Sequence, residues 1–70
     1  MNRTPVQSST IASVGYHVDS SLLEIEFHSG GIYQYYDVPE HQYNDLMSAD
    51  SLGKYFAANI RDVYRCSRIG

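Results

Sequence analysis

The sequence contains one cysteine, two prolines and no tryptophan among its 70 residues. The single cysteine, Cys66, excludes an internal disulfide, and no cysteines and histidines have the spacing of a structural zinc site. No apolar run approaches the roughly 20 residues that span a bilayer, and the N-terminus lacks a signal-peptide pattern. We therefore expect no metal, no cofactor, no membrane association and a location in the reducing cytoplasm.

A chain of this length has a thin core. Seventy residues make one domain, and a domain of this size buries only about 60% of the surface that its unfolded chain exposes. Such domains usually gain stability from disulfides, from a metal or from a partner subunit. Because the sequence argues against the first two, we expect a homo-oligomer.

Positive charge is scarce and unevenly distributed. The formal net charge is −3, which argues against a general nucleic-acid-binding protein, since such proteins are usually basic. Residues 1–50 hold one basic side chain against seven acidic ones, a sum of −6. Residues 51–70 hold four basic side chains against one acidic one, a sum of +3. An anionic ligand should therefore meet the C-terminal third of the chain.

The hydrophobic pattern predicts three strands followed by two helices. Residues 10–18 form a first strand, and residues 22–36 form a hairpin in which apolar and polar side chains alternate. Residues 39–47 and 52–60 repeat apolar side chains at helical spacing. The first helix follows Asp37, a predicted cap, and the second is capped by Asp50 or Ser51. We predict an α+β fold in which two short helices cover one face of a three-stranded antiparallel meander. Residues 63–69 form a short final strand or an extended arm.

The register of the hairpin follows from which side chains share a face. With residues 29–31 as the loop, Phe27 pairs with Tyr33 and Ile25 pairs with Tyr35, so one face is continuously apolar. A two-residue loop would place a polar amide on that face. We therefore predict the three-residue loop.

The uncovered face of the hairpin is predicted to carry a mixed patch. Tyr36 falls on the face opposite the helices, together with Leu22, Ile32 and Gln34. Apolar side chains exposed beside polar ones are more typical of an interface than of free surface. We predict that these four residues form a protein-docking surface.

The start of the second helix has the features of an anion site. Ser51 precedes the helix, Gly53 lets a ligand approach the backbone, and Lys54 adds a cation near the free amides of the first turn. Asn59 and Arg61 follow one to two turns later and would add donors. The alternative is structural, with Ser51 as a helix cap, Gly53 as a packing residue and Lys54 as a solvated side chain.

Tyrosine is the dominant aromatic residue, with seven copies against two phenylalanines. Its ring stacks on nucleobases and its hydroxyl forms hydrogen bonds, so it suits nucleotide sites and protein interfaces alike. Four of the seven are expected in the core with the hydroxyl at the edge: Tyr33, Tyr35, Tyr43 and Tyr55. Tyr64, with Arg61, Arg65 and Arg68, forms a basic and aromatic tail that suits a base and its phosphate.

Several short motifs occur in an order that resembles one family. They are Val14-Gly15-Tyr16, Leu23-Glu24-Ile25-Glu26-Phe27 followed by Gly31, Tyr33-Gln34-Tyr35, Val38-Pro39, Ser51-Leu52-Gly53-Lys54-Tyr55-Phe56 and Asn59-Ile60-Arg61. Over nearly the whole chain, this set resembles the KTSC domain, a module found alone in bacterial and phage proteins and at the C-terminus of some lysyl-tRNA synthetases. The resemblance implies a small α+β binding module, suggests RNA binding and brings no catalytic residues. We predict a flexible tail over residues 1–9 and a single KTSC-like domain over residues 10–70.

Together these features favour a non-enzymatic binding module for a nucleotide-type ligand, either RNA or a small nucleotide. Its phosphate would lie at the start of the second helix with the C-terminal arginines, and its base would stack on tyrosine. An acidic body with one basic end suits a compact ligand better than a long polyanion. A more specific form of this hypothesis is an oligomeric phage protein, a sponge, that sequesters a cyclic nucleotide signal. The rival hypothesis is a protein-interaction module. The three histidines and the one cysteine do not show the pattern of a metal or catalytic site.

Overall fold

A computed structural model describes residues 2–70 of the chain. The elements in chain order are β1 (Thr4–Pro5), β2 (Ile11–His17), β3 (Leu22–Phe27), β4 (Ile32–Tyr35), α1 (Glu40–Ser48), α2 (Leu52–Asn59) and β5 (Cys66–Arg68). The strands form one antiparallel sheet in the order β1-β2-β3-β4-β5. The predicted α+β class, with an antiparallel sheet and two helices, is confirmed.

The predicted count of three strands is wrong, because the sheet has five. β1 lies inside the segment predicted as a tail and pairs Thr4 with Val14 and Pro5 with Ser13. β5 corresponds to the first of the two alternatives predicted for residues 63–69. A strand of two residues, such as β1, is too short for hydrophobic alternation to reveal it. Met1 lies outside the described residues, and the mobility of the N-terminal segment stays a prediction.

A bulge in β2 places apolar side chains where simple alternation would not. Ile11 pairs with Phe27, but Ser13 pairs with Glu26, so β2 contains one residue more than β3 over this stretch. As a result, Ile11 and Val14 are both fully buried, although they are three residues apart. Ser13 falls between them and turns to the opposite face of the sheet.

The hairpin between β3 and β4 is shifted by two residues from the predicted register. Tyr33 pairs with Ile25 instead of Phe27, and the Phe27 N–H donates to the Gly31 carbonyl at 2.9 Å. The loop is therefore one residue earlier than predicted and has Gly30 at φ +109°, a conformation that glycine adopts without strain. A shift of two residues leaves every side chain on its predicted face, since the side chains of a strand repeat every two residues.

Both helices pack against one face of the sheet. Ten apolar residues form the buried core: Ile11, Val14, Leu23, Ile25, Tyr35, Val38, Leu46, Leu52, Phe56 and Ile60. The Phe56 ring of α2 meets Phe27 and Tyr35 edge-to-face, with ring centroids 5.3 and 5.5 Å apart. At the other end of the core, the Tyr16 and Tyr43 rings stack at 5.0 Å. Aromatic contacts therefore join the helices to the sheet at both ends.

The two helices begin differently. The Ser51 side chain accepts a hydrogen bond from the Lys54 N–H at 3.3 Å, so the predicted serine cap of α2 is confirmed. α1 begins after Pro39 without a side-chain cap. Asp37, the predicted cap, lies in the left-handed region at φ 58°, which aspartate tolerates better than most residues. The predicted aspartate cap of α1 is therefore wrong.

Candidate functional site

An open cleft of about 1010 Å³ lies beside the start of α2. The first turns of α2 form one wall, aromatic side chains of the sheet form the floor, and residues 7–10, which precede β2, form the opposite wall. Cys66 of β5 lies at the edge of the floor. We call this cavity the α2 cleft. In this cleft, the start of α2 meets aromatic side chains from the apolar face of the sheet.

The floor of the α2 cleft is aromatic because strand alternation turns Phe27, Tyr33 and Tyr35 toward the helices, where the Phe56 ring of α2 meets two of them. Phe27, Tyr33, Tyr35 and Phe56 all line it. Tyr33 is partly exposed, and its ring meets that of Phe27 edge-to-face at 5.7 Å. Burial raises the pKa of Tyr35 to about 12. Its phenolic hydroxyl can donate or accept a hydrogen bond. The floor thus offers an aromatic surface and the hydroxyl groups of two tyrosines.

Charged side chains of both signs line the α2 cleft. Lys54 and Arg61 contribute two positive charges, and Asp50 and Asp62 contribute two negative charges. Arg61 Nε lies 3.7 Å from an Asp62 carboxylate oxygen, but both side chains are largely exposed, so this ion pair is weak. Lys54 forms no ion pair within residues 2–70. The two cations are therefore available to an incoming anion, while the acids limit the total negative charge that the cleft accepts.

Gly53 packs closely against the segment that precedes β2. A Cβ atom at this position would lie 3.2 Å from Thr10 Oγ1 and 3.4 Å from Thr10 Cβ. The missing side chain lets the segment before β2 approach the start of α2 closely. This contact supports the packing role that the sequence left open for Gly53.

Ser8 holds the wall opposite α2 in place. Its Oγ accepts hydrogen bonds from the N–H groups of Thr10 and Ile11, both at 3.1 Å. The Ser8 carbonyl oxygen lies 2.9 Å from His28 Nε2. The backbone N–H of His28 donates to the Thr10 carbonyl at 3.0 Å. The wall is therefore bonded to itself and to the β3–β4 loop. The sequence showed no signal for it beyond the serines and threonine, which are common in turns.

Four of the eight predicted ligand residues line the α2 cleft: Ser51, Gly53, Lys54 and Arg61. Asn59 does not, because its side-chain amide donates to the Tyr55 carbonyl at 3.2 Å on its own helix. Tyr64 packs against the hydrophobic core instead. The missed lining residues include the aromatic floor, whose position followed from the hairpin alternation, and Asp50, which precedes the serine cap.

The other two predicted ligand residues are separated from the cleft. The guanidinium of Arg65 lies over the Tyr36 ring at 5.9 Å, on the face of the sheet opposite the helices. Arg68 Nε donates to the Gly70 carbonyl at 2.8 Å. The basic tail predicted from the sequence therefore divides, with Arg61 at the cleft and the later arginines outside it.

The face of the sheet opposite the helices has a polar centre. The four predicted docking residues, Leu22, Ile32, Gln34 and Tyr36, are each partly exposed there. Between them lies Glu24, which is only 4% exposed and accepts a hydrogen bond from Gln34 Nε2 at 3.1 Å. The predicted patch is therefore a rim of apolar groups around a buried carboxylate.

Arg3 encloses this carboxylate and connects it to the neighbouring strands. Its guanidinium pairs with Glu24 and donates from Nε to Ser13 Oγ at 3.1 Å, while Ser13 donates to Glu26 at 2.9 Å. Burial alone would raise the pKa of Glu24, but hydrogen bonds from Gln34 and Arg3 and the charge of Arg3 lower it overall. We call these five residues the Arg3 network.

Other classes of site are not seen in the described part of the chain. Within residues 2–70, no group of three or more histidine, cysteine or acidic side chains is arranged to hold a metal ion. No helix in that range has both the length and the apolar character needed to cross a bilayer.

Comparison with known proteins identifies related sequences. A sequence profile of the KTSC domain matches residues 7–64. An uncharacterised protein of Stutzerimonas stutzeri is 45% identical over 56 residues, which cover 80% of this chain and 79% of that protein. A lysine–tRNA ligase of Nostoc punctiforme is 32% identical over 63 residues, which cover 90% of this chain but 11% of the ligase.

A solved structure is similar over almost its full length. The crystal structure of a KTSC domain protein from Yersinia pestis superposes with a TM-score of 0.96 and 45% sequence identity. The match covers 99% of this chain and 97% of that one. The five-stranded sheet with two helices is therefore shared between the two proteins.

Proposed function

The chain belongs to the KTSC domain family, and on that premise we propose that it is a non-enzymatic module that binds a nucleotide-type ligand in the α2 cleft. The observation that supports this proposal is that an aromatic floor and a cationic helix start share one open cleft of about 1010 Å³. A nucleotide combines a flat aromatic base with a phosphate, so it complements both parts. The volume is near the upper end of the usual range for small-ligand sites, about 300–1000 Å³.

The phosphate is proposed to lie between Lys54 and Arg61. Both side chains line the cleft, and the positive end of the α2 dipole adds to their field. The Ser51 hydroxyl already accepts the Lys54 N–H, so its role is to hold the helix start in shape. Because Thr10 covers the open side of Gly53, the ligand would approach from the Lys54 side of the helix.

The base is proposed to stack on Tyr33. This ring is partly exposed in the floor, and its edge-to-face contact with Phe27 limits its rotation. Stacking of a base on an aromatic side chain is worth about 1–3 kcal/mol. The protonated hydroxyl of Tyr35 would supply a hydrogen bond to an acceptor on the base or sugar.

A compact ligand fits the charges of the cleft better than a long RNA. Asp50 and Asp62 line the same cleft as the two cations, and residues 1–50 sum to −6, so an extended polyanion would meet repulsion. RNA remains the alternative ligand, supported by the similarity to part of a lysine–tRNA ligase. In a more specific form of the compact-ligand proposal, a homo-oligomer sequesters a cyclic nucleotide between paired subunits.

Two pairs of variants test the site. Lys54→Ala and Arg61→Ala each remove a cation from the cleft, and we expect each to weaken nucleotide binding about tenfold, as for loss of a charge-assisted hydrogen bond. Arg65→Ala and Arg68→Ala are matched controls, since they change the charge equally but lie outside the cleft. Isothermal titration calorimetry with mononucleotides, a cyclic dinucleotide and a short RNA measures the dissociation constant of each variant.

The outcome separates a site from general charge attraction. Equal weakening by all four variants would mean that any bound anion is held by net charge alone, and the cleft proposal would fail. Absence of binding for every class of nucleotide would also reject it. Strong preference for the short RNA, with a steep salt dependence, would replace the compact ligand by RNA.

A second candidate function is protein docking on the face opposite the helices. The specific observation is the apolar rim of Leu22, Ile32 and Tyr36, which Ile69, 51% exposed, extends beside Ile32. This rim is also the proposed surface for homo-oligomer formation. Tyr36→Ala should split such an oligomer in light scattering without a strong dependence on salt. A mass that does not change with this variant would count against docking here.

A further inference from the structure

β5 forms an exposed edge of the sheet. Its three residues, Cys66–Arg68, are all exposed, and within residues 2–70 it pairs on one side only, with β4. An unpaired edge presents backbone groups that can pair with another extended chain. The question is which backbone groups face outward and which chain would complement them.

The hydrogen bonds to β4 show which groups face outward. The Tyr36 N–H donates to the Arg65 carbonyl at 2.9 Å, and the Ile69 N–H donates to the Ile32 carbonyl at 2.8 Å. Residues along an antiparallel strand alternate between facing the partner and facing away. Arg65 and Ile69 face β4, so the N–H and C=O groups of Cys66 and Arg68 face away from the sheet.

Positive charge surrounds this edge. Residues 60–70 contain three arginines and one aspartate, a sum of +2. Arg68 lies opposite Tyr33 on the helix side, and Arg65 lies over Tyr36 on the opposite side. A chain added along β5 would therefore pass arginine side chains on both faces, and acidic residues would pair with them.

A second copy of this chain does not suit the same edge. Two β5 strands paired with each other would place two segments of net charge +2 side by side, and like charges repel. The other edge strand, β1, has only two residues, and one of them, Pro5, has no N–H to donate. Neither edge of a second copy therefore complements β5.

We propose that the outer edge of β5 binds an acidic, extended peptide segment of a partner protein as a sixth strand. The main chain of the peptide pairs with the outward groups of Cys66 and Arg68, and its acidic side chains meet Arg65 and Arg68. This mode of recognition obtains affinity from the backbone and specificity from alternate side chains. It uses neither the phosphate position proposed for the α2 cleft nor the apolar rim of the opposite face.

A substitution at one backbone position tests the strand pairing. Cys66→Pro removes an outward N–H but no bond to β4, and proline is tolerated on edge strands. Cys66→Ser is the matched control because it keeps the N–H and changes the thiol. The probe is a fluorescein-labelled peptide of about eight residues, the length of a common strand, with alternating glutamate and valine. In fluorescence anisotropy, we expect Cys66→Pro to weaken its binding at least tenfold and Cys66→Ser to leave it unchanged.

A second measurement does not depend on the folding of the proline variant. In the wild-type protein, the peptide should slow hydrogen exchange at the amides of Cys66 and Arg68 and leave that of Ser67, which faces β4, unchanged. The same peptide with lysine in place of glutamate should bind at least tenfold more weakly. Equal binding of both peptides, no change in the exchange of Cys66 and Arg68, or a dimer that Cys66→Pro dissociates would overturn the proposal.

Discussion

The two faces of the sheet use charged side chains for different purposes. On the face opposite the helices, the charges of the Arg3 network are bonded to one another, and no buried side-chain nitrogen or oxygen in residues 2–70 lacks a partner. On the helix side, Lys54 and Arg61 line the α2 cleft. Lys54 forms no ion pair in the described residues, and Arg61 forms only an exposed one with Asp62. Bonded charges stabilise a fold, whereas solvated ones are free to bind a ligand.

Arg3 and Arg61 show this difference between bonded and solvated charges. The side chain of Arg3 is 27% exposed and paired with a buried carboxylate, while that of Arg61 is 59% exposed beside an exposed one. Removing Arg3 leaves Glu24 buried without its cation, but removing Arg61 leaves Asp62 in water. The same substitution should therefore affect stability on one face and binding on the other.

The largest expected effect on stability is at the core contact between α2 and the sheet. Phe56 is 4% exposed, and its ring contacts Phe27 and Tyr35. Phe56→Ala should lower the free energy of unfolding by about 3–5 kcal/mol, measured by urea denaturation. If the alanine variant is unfolded, Phe56→Leu should show a smaller loss in a folded protein. A loss below about 1 kcal/mol would show that this contact does not hold the cleft floor.

Loss of the ion pair on the opposite face should have the next largest effect. Arg3→Ala should lower the free energy of unfolding by about 2 kcal/mol, because it removes charged hydrogen bonds to a buried carboxylate. Arg68→Ala, an exposed arginine outside the core, should change it by less than about 0.5 kcal/mol. If both variants lose the same stability, the contrast between the two faces is wrong.

The pH dependence of stability should reflect Glu24. In the folded protein, the pKa of Glu24 lies below its ordinary value of 4.5. The carboxylate therefore binds a proton less readily in the folded state than in the unfolded state. The stabilisation is complete above about pH 4.5 and is lost as the pH falls through the lowered folded pKa. Urea denaturation between neutral pH and pH 2 should show this loss. The loss should be smaller in Glu24→Gln, and an unchanged profile in that variant would assign the acid sensitivity to other carboxyl groups.

The smallest expected effect on stability is at the cleft cation. Lys54 is exposed and forms no ion pair in the described residues, so Lys54→Ala should change the free energy of unfolding by less than about 0.5 kcal/mol. A larger loss in thermal or urea unfolding would mean that this lysine stabilises the fold, and it would then be a poor probe of ligand binding.

Alternation and capping accounted for the central part of the fold and for one wall of the cleft. Tyr33 and Tyr35 lie on the predicted face even though the hairpin register moved by two residues, because a strand alternates with that period. The serine before α2 caps it as expected. Local patterns of this kind depend on neighbouring residues, so one sequence is enough to show them.

The remaining features depend on contacts between distant residues. Arg3 and Glu24 are 21 residues apart in the chain, and nothing near either residue marks the pairing. The position of residues 7–10 beside Gly53 and the division of the C-terminal arginines between two faces also depend on packing. A bulge in β2 likewise follows from the fit of the whole sheet.

The N-terminal segment reaches both faces within a few residues. Arg3 lies on Glu24 on one side of the sheet, and Ser8 and Thr10 lie beside the start of α2 on the other. Removal of residues 2–10 would therefore take the cation away from the buried Glu24 carboxylate and open one wall of the α2 cleft at the same time.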